Sequence, residues 1–184
     1  VMSPQLQTAR LSFRDFTLDD YESVHAYGSD PEVTRYTAFG PNAPEQTRSF
    51  LQLASAESAQ AERANYNFAL IHKHTGKLIG SCGLMRSDLN GPQFGLGYVL
   101  HKDWWRQGYA SEAAAELMKF GFGELCAHRL WAHVFVGNAA SEKVLRNLGF
   151  RYEGCTLQSF FVRNTWFDLQ TFGMLRGEWE KRAA

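Results

Sequence analysis

The chain has 184 residues, long enough for one domain, 1–184, with a sizeable core. Its 19 Lys and Arg balance 19 Asp and Glu, so the formal net charge is zero. That balance weighs against an electrostatic nucleic-acid binder. The absence of a long apolar run or a charged, apolar leader weighs against a membrane span or export, so a cytoplasmic location is expected. Three widely spaced cysteines, Cys82, Cys126 and Cys155, lie in apolar stretches and read as buried free thiols.

Arg10–Phe16 alternates apolar and polar side chains and predicts a half-buried strand. Thr17-Leu18-Asp19-Asp20 then offers acceptors for a helix running to about Gly28. A short helix or turn follows Ser29-Asp30-Pro31, and Phe39-Gly40-Pro41-Asn42-Ala43-Pro44 breaks it. Glu45 to about Arg63 is predicted helical, with Phe50, Leu51, Ala54 and Ser58 on one face. Strands are expected at Tyr66–His72 and Leu78–Met85 around a turn at His74-Thr75-Gly76-Lys77. A second turn at Asp88-Leu89-Asn90-Gly91 leads into Phe94–Leu100.

The stretch from Gly97 to Ala114 organises the rest. An apolar strand ends at Leu100, and a polar and aromatic turn follows. A helix then opens near Gly108 and lasts to about Leu125, with Ala113, Leu117 and Phe120 three or four apart. Gly108 permits a tight turn and a close ligand, and the free amides of the helix start suit a phosphate. Alone, the stretch reads equally well as a plain strand-to-helix connection. Further on, Arg129–Val136 is a strand, Asn138–Leu148 a helix ending at Gly149, and Arg151–Arg163 and Thr165–Leu175 two closing strands. Asn138 and Gly149 are good capping residues, and capping alone would explain them. Yet two helix starts beside neighbouring strand ends would bound a crevice of the kind that binds ligands. The element order is α+β, a mixed sheet covered by helices.

Together these stretches resemble the GCN5-related N-acetyltransferases, and within them the ribosomal-protein N-terminal acetyltransferases of the RimJ/RimL type. The Q/R-x-x-G-x-G/A signature is matched by Trp105-Arg106-Gln107-Gly108-Tyr109-Ala110, and N-x-x-S…L-G-F by Asn138, Ser141 and Leu148-Gly149-Phe150. Thr8-Ala9-Arg10-Leu11, Ser29-Asp30-Pro31-Glu32-Val33 and Glu178-Trp179 look like the same branch. The resemblance implies a mostly antiparallel sheet of about seven strands, splayed between the strands ending near Leu100 and Val136. It implies acetyl-coenzyme A as cosubstrate, an amine acceptor, no metal, and room for a homodimer. By similarity, Trp105, Arg106, Gln107, Gly108, Tyr109 and Ala110 would cradle the pyrophosphate, with Val99, Leu100, Asn138, Ser141 and Lys143 completing the donor site. An amide near Leu100 would bond the thioester oxygen, which becomes anionic under attack. Ser141, supported by Asn138, would protonate the departing sulfur.

Three positions depart from the family. Trp105 stands in place of Gln or Arg. Leu145 stands where many relatives carry a tyrosine acid. Gly95 and Phe160 stand where relatives place a carboxylate base, so the base is unassigned and an α-amine of low pKa is the easier acceptor. His72 and His74 read as a solvated hairpin end rather than metal ligands. Trp104, Trp105, Phe160, Phe161, Trp166 and Phe167 read as core or pocket wall, and Glu153 and Asp168 as acceptor-side or surface carboxylates. The rival readings are an aminoglycoside or polyamine acetyltransferase, whose pocket should be acidic, and a non-catalytic acyl-coenzyme A-binding module.

Overall fold

The computed structural model describes residues 4–87 and 91–183, so most of the turn expected at 88–91 lies outside the described residues. Seven strands form one sheet in the order β1-β2-β3-β4-β5-β7-β6. The strands are β1 Leu11–Asp15, β2 Asn65–His72, β3 Leu78–Arg86, β4 Gln93–Leu100, β5 Arg129–Phe135, β6 Arg151–Val162 and β7 Thr165–Leu175. All neighbours are antiparallel except β4 and β5. The helices are α1 Tyr21–Gly28, α2 Pro44–Ser58, α3 Tyr109–Lys119, α4 Ala139–Leu148 and α5 Arg176–Ala183. The mixed, mostly antiparallel sheet flanked by helices is the architecture expected.

Two cores cover the sheet's two faces. Against one face, α3 and the chain after it bury Ala113, Leu117, Phe122, Leu130 and Leu145 with Phe68, Leu84, Leu96 and Phe172. Against the other, α1 and α2 bury Val24, Tyr27, Leu51 and Ala54 with Phe16 and Ala69, and Val99 packs beside them. Each cluster matches one stripe of a helix to alternate residues of a strand, which fixes the face on which every strand residue sits.

Three features differ from expectation. The α2 helix ends at Ser58 rather than near Arg63. Arg63 is drawn instead into an ion pair with Asp15, 2.7 Å, and donates to the Ser58 carbonyl. The helical run after Gly108 reaches Glu124, close to the expected end, but widens after Lys119 into a π-turn over Phe120–Glu124, where Gly121 lies against Leu84 and Leu130. The sequence reading closed the chain on two strands, yet α5 follows them. Its Trp179 stacks on Phe122 with ring centroids 5.3 Å apart, and Glu178 accepts the Leu175 amide at 2.9 Å. Of the cysteines only Cys82 is buried. Cys126 and Cys155 are exposed, because Cys126 follows the π-turn and Cys155 sits on the edge strand β6.

Candidate active site

The site is built where β4 and β5 part. They run side by side over three residue pairs, Gln93–Arg129 to Gly95–Trp131. Beyond that point β4 stays paired to β3 as far as Leu100, and β5 to β7 as far as Phe135. The two halves of the sheet therefore open from Leu96 and Ala132 onward, the splay expected from the sequence. His101 donates to the Ile79 carbonyl at 2.9 Å and Ser87 to that of Gln93 at 2.9 Å, at opposite ends of one ladder. Antiparallel pairing alternates, so the odd residues of β4 bond β3 and the amides of Leu96, Tyr98 and Leu100 point into the opening. Val99 bonds toward Ser81 of β3, and its side chain packs on the α1 and α2 side.

The turn after β4 closes one side of the opening. Arg106 (φ 60°) and Gly108 (φ 83°) are both left-handed, so the chain folds back tightly before α3 begins. This geometry gathers amides into a concave anion cradle at a helix start. The indole N–H of Trp105 donates to the Leu100 carbonyl at 2.8 Å, and Gln107 donates to the Asp103 carbonyl at 2.9 Å. Trp105 is therefore a brace between the strand end and the turn. Arg106 and Lys143 are exposed, and Ala110 packs against the core at the start of α3.

Distant segments hold this turn. Arg10 donates to the Gln107 carbonyl at 3.0 Å, pairs with Glu112 at 2.6 Å, and lies 4.1 Å over the Tyr109 ring. Burial alone would raise the Glu112 pKa, but hydrogen bonds from the Thr8 hydroxyl and from the amide and guanidinium of Arg10 outweigh it and hold the carboxylate below its usual range. Asp30 pairs with Lys102 at 2.7 Å. The Thr8–Leu11 and Ser29–Val33 motifs thus tie the chain's early segments to the turn. His72 also belongs here, as a correction to the solvated hairpin end expected for it. Its Nε2 meets the Tyr109 hydroxyl at 3.1 Å, and its ring packs on Trp104 at 4.7 Å. No group of three or more potential metal ligands occurs among the described residues.

On the far side of the opening, Asn138 caps α4, its Oδ1 accepting the Ser141 amide at 3.2 Å. Gly149 ends the helix in the left-handed region, φ 91°, so the capping reading holds for both ends. The Ser141 hydroxyl meets the Tyr98 hydroxyl at 2.9 Å. Burial pushes the Tyr98 phenol up to about 12, against the opposing pull of the Ser141 hydrogen bond, so it stays protonated. Sequence reasoning missed Tyr98. Leu145 is fully buried core, and the phenol beside Ser141 belongs to β4.

The positions expected to hold a base are filled otherwise. A Cβ on Gly95 would lie 2.9 Å from the Trp131 indole, which covers that site. Phe160 stands edge-on to Phe135 at 5.4 Å, with Phe167 on the same ring at 5.1 Å. Glu153 is paired with Arg129, and Asp168 accepts the Gln158 amide at 2.7 Å. Trp105, Phe161 and Trp166 are exposed rather than core, because Trp105 lies on the outer turn and the other two near the tip of the β6–β7 hairpin.

That hairpin also roofs a cavity. Arg163 donates to the carbonyls of Thr37, Phe39 and Gly40 through one nitrogen and of Arg35 through the other, at 3.0–3.2 Å. It clamps the hairpin tip to the loop between α1 and α2. A cavity of about 540 Å³ lies beneath, lined by Tyr27, Phe39, Asn42, Phe50, Ser81 and Val162 among others. None of the described lining residues carries a carboxylate, and its one guanidinium, that of Arg163, faces four carbonyls. Burial raises the Tyr27 phenol above its ordinary range, against a hydrogen bond with Ser81.

The family model for an acetyltransferase (GNAT) domain matches residues 10–151. The chain is 34% identical over 175 residues to the uncharacterized N-acetyltransferase p20 of Bacillus licheniformis, covering 95% of this chain and 97% of that protein. It superposes on a GNAT-family acetyltransferase from Bacillus anthracis with TM-score 0.84 and 30% identity, covering 95% of this chain and all of the other. At the level of fold alone, it also matches a spermidine N-acetyltransferase from Vibrio cholerae solved with CoA and spermine, TM-score 0.80 at 17% identity, covering 94% of this chain and 99% of the other. A splayed β4 and β5, a left-handed turn opening α3 and these relatives agree, and the chain belongs to the GNAT family as an acetyl-coenzyme A-dependent N-acetyltransferase.

Proposed function

We propose that this enzyme acetylates a primary amine whose attached body is uncharged and largely apolar, an α-amine at a protein N-terminus or a small-molecule amine. The cavity carries this reading. Its volume falls in the range of small-ligand sites, and its described lining offers aromatic rings, amides and hydroxyls rather than carboxylates. A polyamine or aminoglycoside would bury several cations there without partners, which is costly. The spermidine acetyltransferase shares the fold, but that likeness carries no acceptor with it.

In this reading acetyl-coenzyme A lies along the opening. The turn at Arg106–Ala110 holds the pyrophosphate, with Arg106 and Lys143 as nearby cations. The Tyr98 or Leu100 amide donates to the developing oxyanion from a fixed position. Ser141 hands a proton to the departing sulfur and draws on the Tyr98 phenol behind it, while Asn138 holds the helix start that positions Ser141. A pH-dependent supply of free amine favours an α-amine: at pKa ~7.7–8 more than a tenth is free base near neutrality, against about a thousandth for a lysine-like amine at ~10.4. The test is a panel of an aromatic amine, a peptide with a free apolar N-terminus, spermidine and an aminoglycoside, read by acetyl-dependent thiol release. Release with either of the first two and not the last two is expected. The reverse pattern overturns the reading, and coenzyme A binding without release for any amine points to a binding module.

A further inference from the structure

Sequence and family resemblance leave the base of this reaction unassigned, and the carboxylates nearest the site are engaged: Glu153 by Arg129 and Asp168 by the Gln158 amide. The structure offers a different group. Trp131 covers Gly95 on the side that carries Val99 and the α1 and α2 helices, since odd residues of β4 share that face. His133 lies two residues along β5, and its ring stands 4.6 Å from the Trp131 ring, so it shares the face. This is also the cavity's face, because Ser81, the partner of Val99, lines the cavity. His133 lies two residues past the last β4–β5 pair, Gly95–Trp131, where the strands have parted, so it stands on the β5 edge of the opening on this face. A Cβ on Gly97 would meet nothing within 4 Å, so the β4 edge of the opening is clear on the same face.

We propose that His133 takes the proton that the acceptor ammonium must lose before it attacks the thioester. The proposal rests on the functional reading above.

The surroundings keep the imidazole neutral. Partial desolvation against Trp131, and then the positive charge of Arg129 two residues earlier on β5, lower its pKa below the ordinary value. Glu153 of β6 is turned to Arg129. Facing residues Gly95 and Gly97 of β4 and the pairing partner Thr171 of β7 bring no titratable group. In the step itself the ammonium N–H bond breaks and its proton passes to a ring nitrogen of His133, then to solvent. The freed nitrogen lone pair forms the C–N bond, and the C–S bond breaks with its electrons on sulfur. Nitrogen sheds a second proton as sulfur gains one through Ser141, so one proton is released overall. A base of depressed pKa is a poor match for a lysine-like amine and a closer one for an α-amine.

The experiment joins kinetics to a titration that needs no turnover. The His133 ring of the wild-type protein is titrated by NMR without substrates, and kcat/KM is followed against pH with an amine from the panel. The acid limb of kcat/KM is expected at the NMR value of His133, and to vanish in His133→Gln, whose rate falls about 10²-fold with coenzyme A affinity unchanged by calorimetry. Added imidazole should restore part of the rate of His133→Ala. A limb displaced from the NMR value in the wild type, or a folded His133→Gln within twofold of wild type, overturns the assignment. Should His133→Gln not fold, the wild-type comparison decides alone. A wild-type enzyme silent toward every amine overturns the functional reading and the assignment with it, a pattern distinct from an active wild type insensitive to His133.

Discussion

The two sides of the opening between β4 and β5 are built by different means. The side proposed for the donor is made of backbone: a strand end, two left-handed residues and two helix starts, all contained in 97–114 and 138–150. The cavity proposed for the acceptor is made of side chains brought from α1, α2, β3 and the β6–β7 hairpin, segments far apart in the chain. A backbone site tolerates many side chains, and under the proposed function it takes the pyrophosphate and the thioester. A side-chain site changes with each substitution and suits an acceptor that differs between relatives.

The comparison is sharpened most by Ser141→Ala, because Ser141 belongs to the backbone-built side yet acts through its hydroxyl. Turnover is expected to fall about 10²-fold or more, on the scale of a positioned acid, with coenzyme A affinity nearly unchanged by calorimetry. Tyr98→Phe should follow in the same direction, since it removes the phenol 2.9 Å behind that hydroxyl. Normal turnover in both variants would leave the pair as a packing contact at the start of α4.

Gly108→Val tests the backbone claim directly. At φ 83° a β-branched side chain is forced into a conformation that costs about 1–2 kcal/mol, so coenzyme A should bind roughly 5- to 30-fold more weakly as the turn relaxes. Calorimetry on the folded variant decides the matter, and unchanged affinity would mean that the cradle does not depend on this geometry. Arg163→Ala tests the opposite side. Losing four carbonyl contacts should loosen the hairpin over the cavity and raise the acceptor KM about tenfold, while the donor affinity stays the same. A loss confined to donor affinity would place the hairpin on the wrong side of the division.

This division also explains what the sequence made legible. The strand periods, the Asn138 cap, the Gly149 end and the Gly108 turn are each signalled within a few residues, and they mark out the sheet and the donor side. The end of α2 at Ser58 was hidden because Ala59–Glu62 favours helix, and only the distant Asp15 draws Arg63 away. The α5 helix was hidden because it is short and polar, and its anchor is the Trp179 stack on Phe122. His133 gave no signal, since an exposed histidine on an alternating strand looks like surface until the parting of β4 and β5 after Gly95–Trp131 leaves it at the edge of the opening. Tyr98 read as one more apolar residue of β4, because its partner Ser141 is 43 positions away.

The smallest expected effect concerns how the donor side is tied to the start of the chain. Glu112 accepts from Thr8 and from Arg10, and those contacts hold its folded pKa below the unfolded value of about 4.3. The sign follows from proton binding: over the interval between the two values the unfolded chain holds the proton and the folded chain does not. The contribution of Glu112 is therefore complete above the unfolded pKa and is lost as pH falls through the folded one. Glu112→Gln should cost on the order of 1 kcal/mol near neutrality, the scale of a partly exposed ion pair with its hydrogen bonds. The same variant should flatten the acid side of a plot of Tm against pH while leaving the neutral side parallel to wild type. If the acid side keeps its slope, the Thr8–Arg10–Glu112 contacts do not carry the titration, and the turn is held by the Tyr109–His72 contact and the Trp105 brace instead.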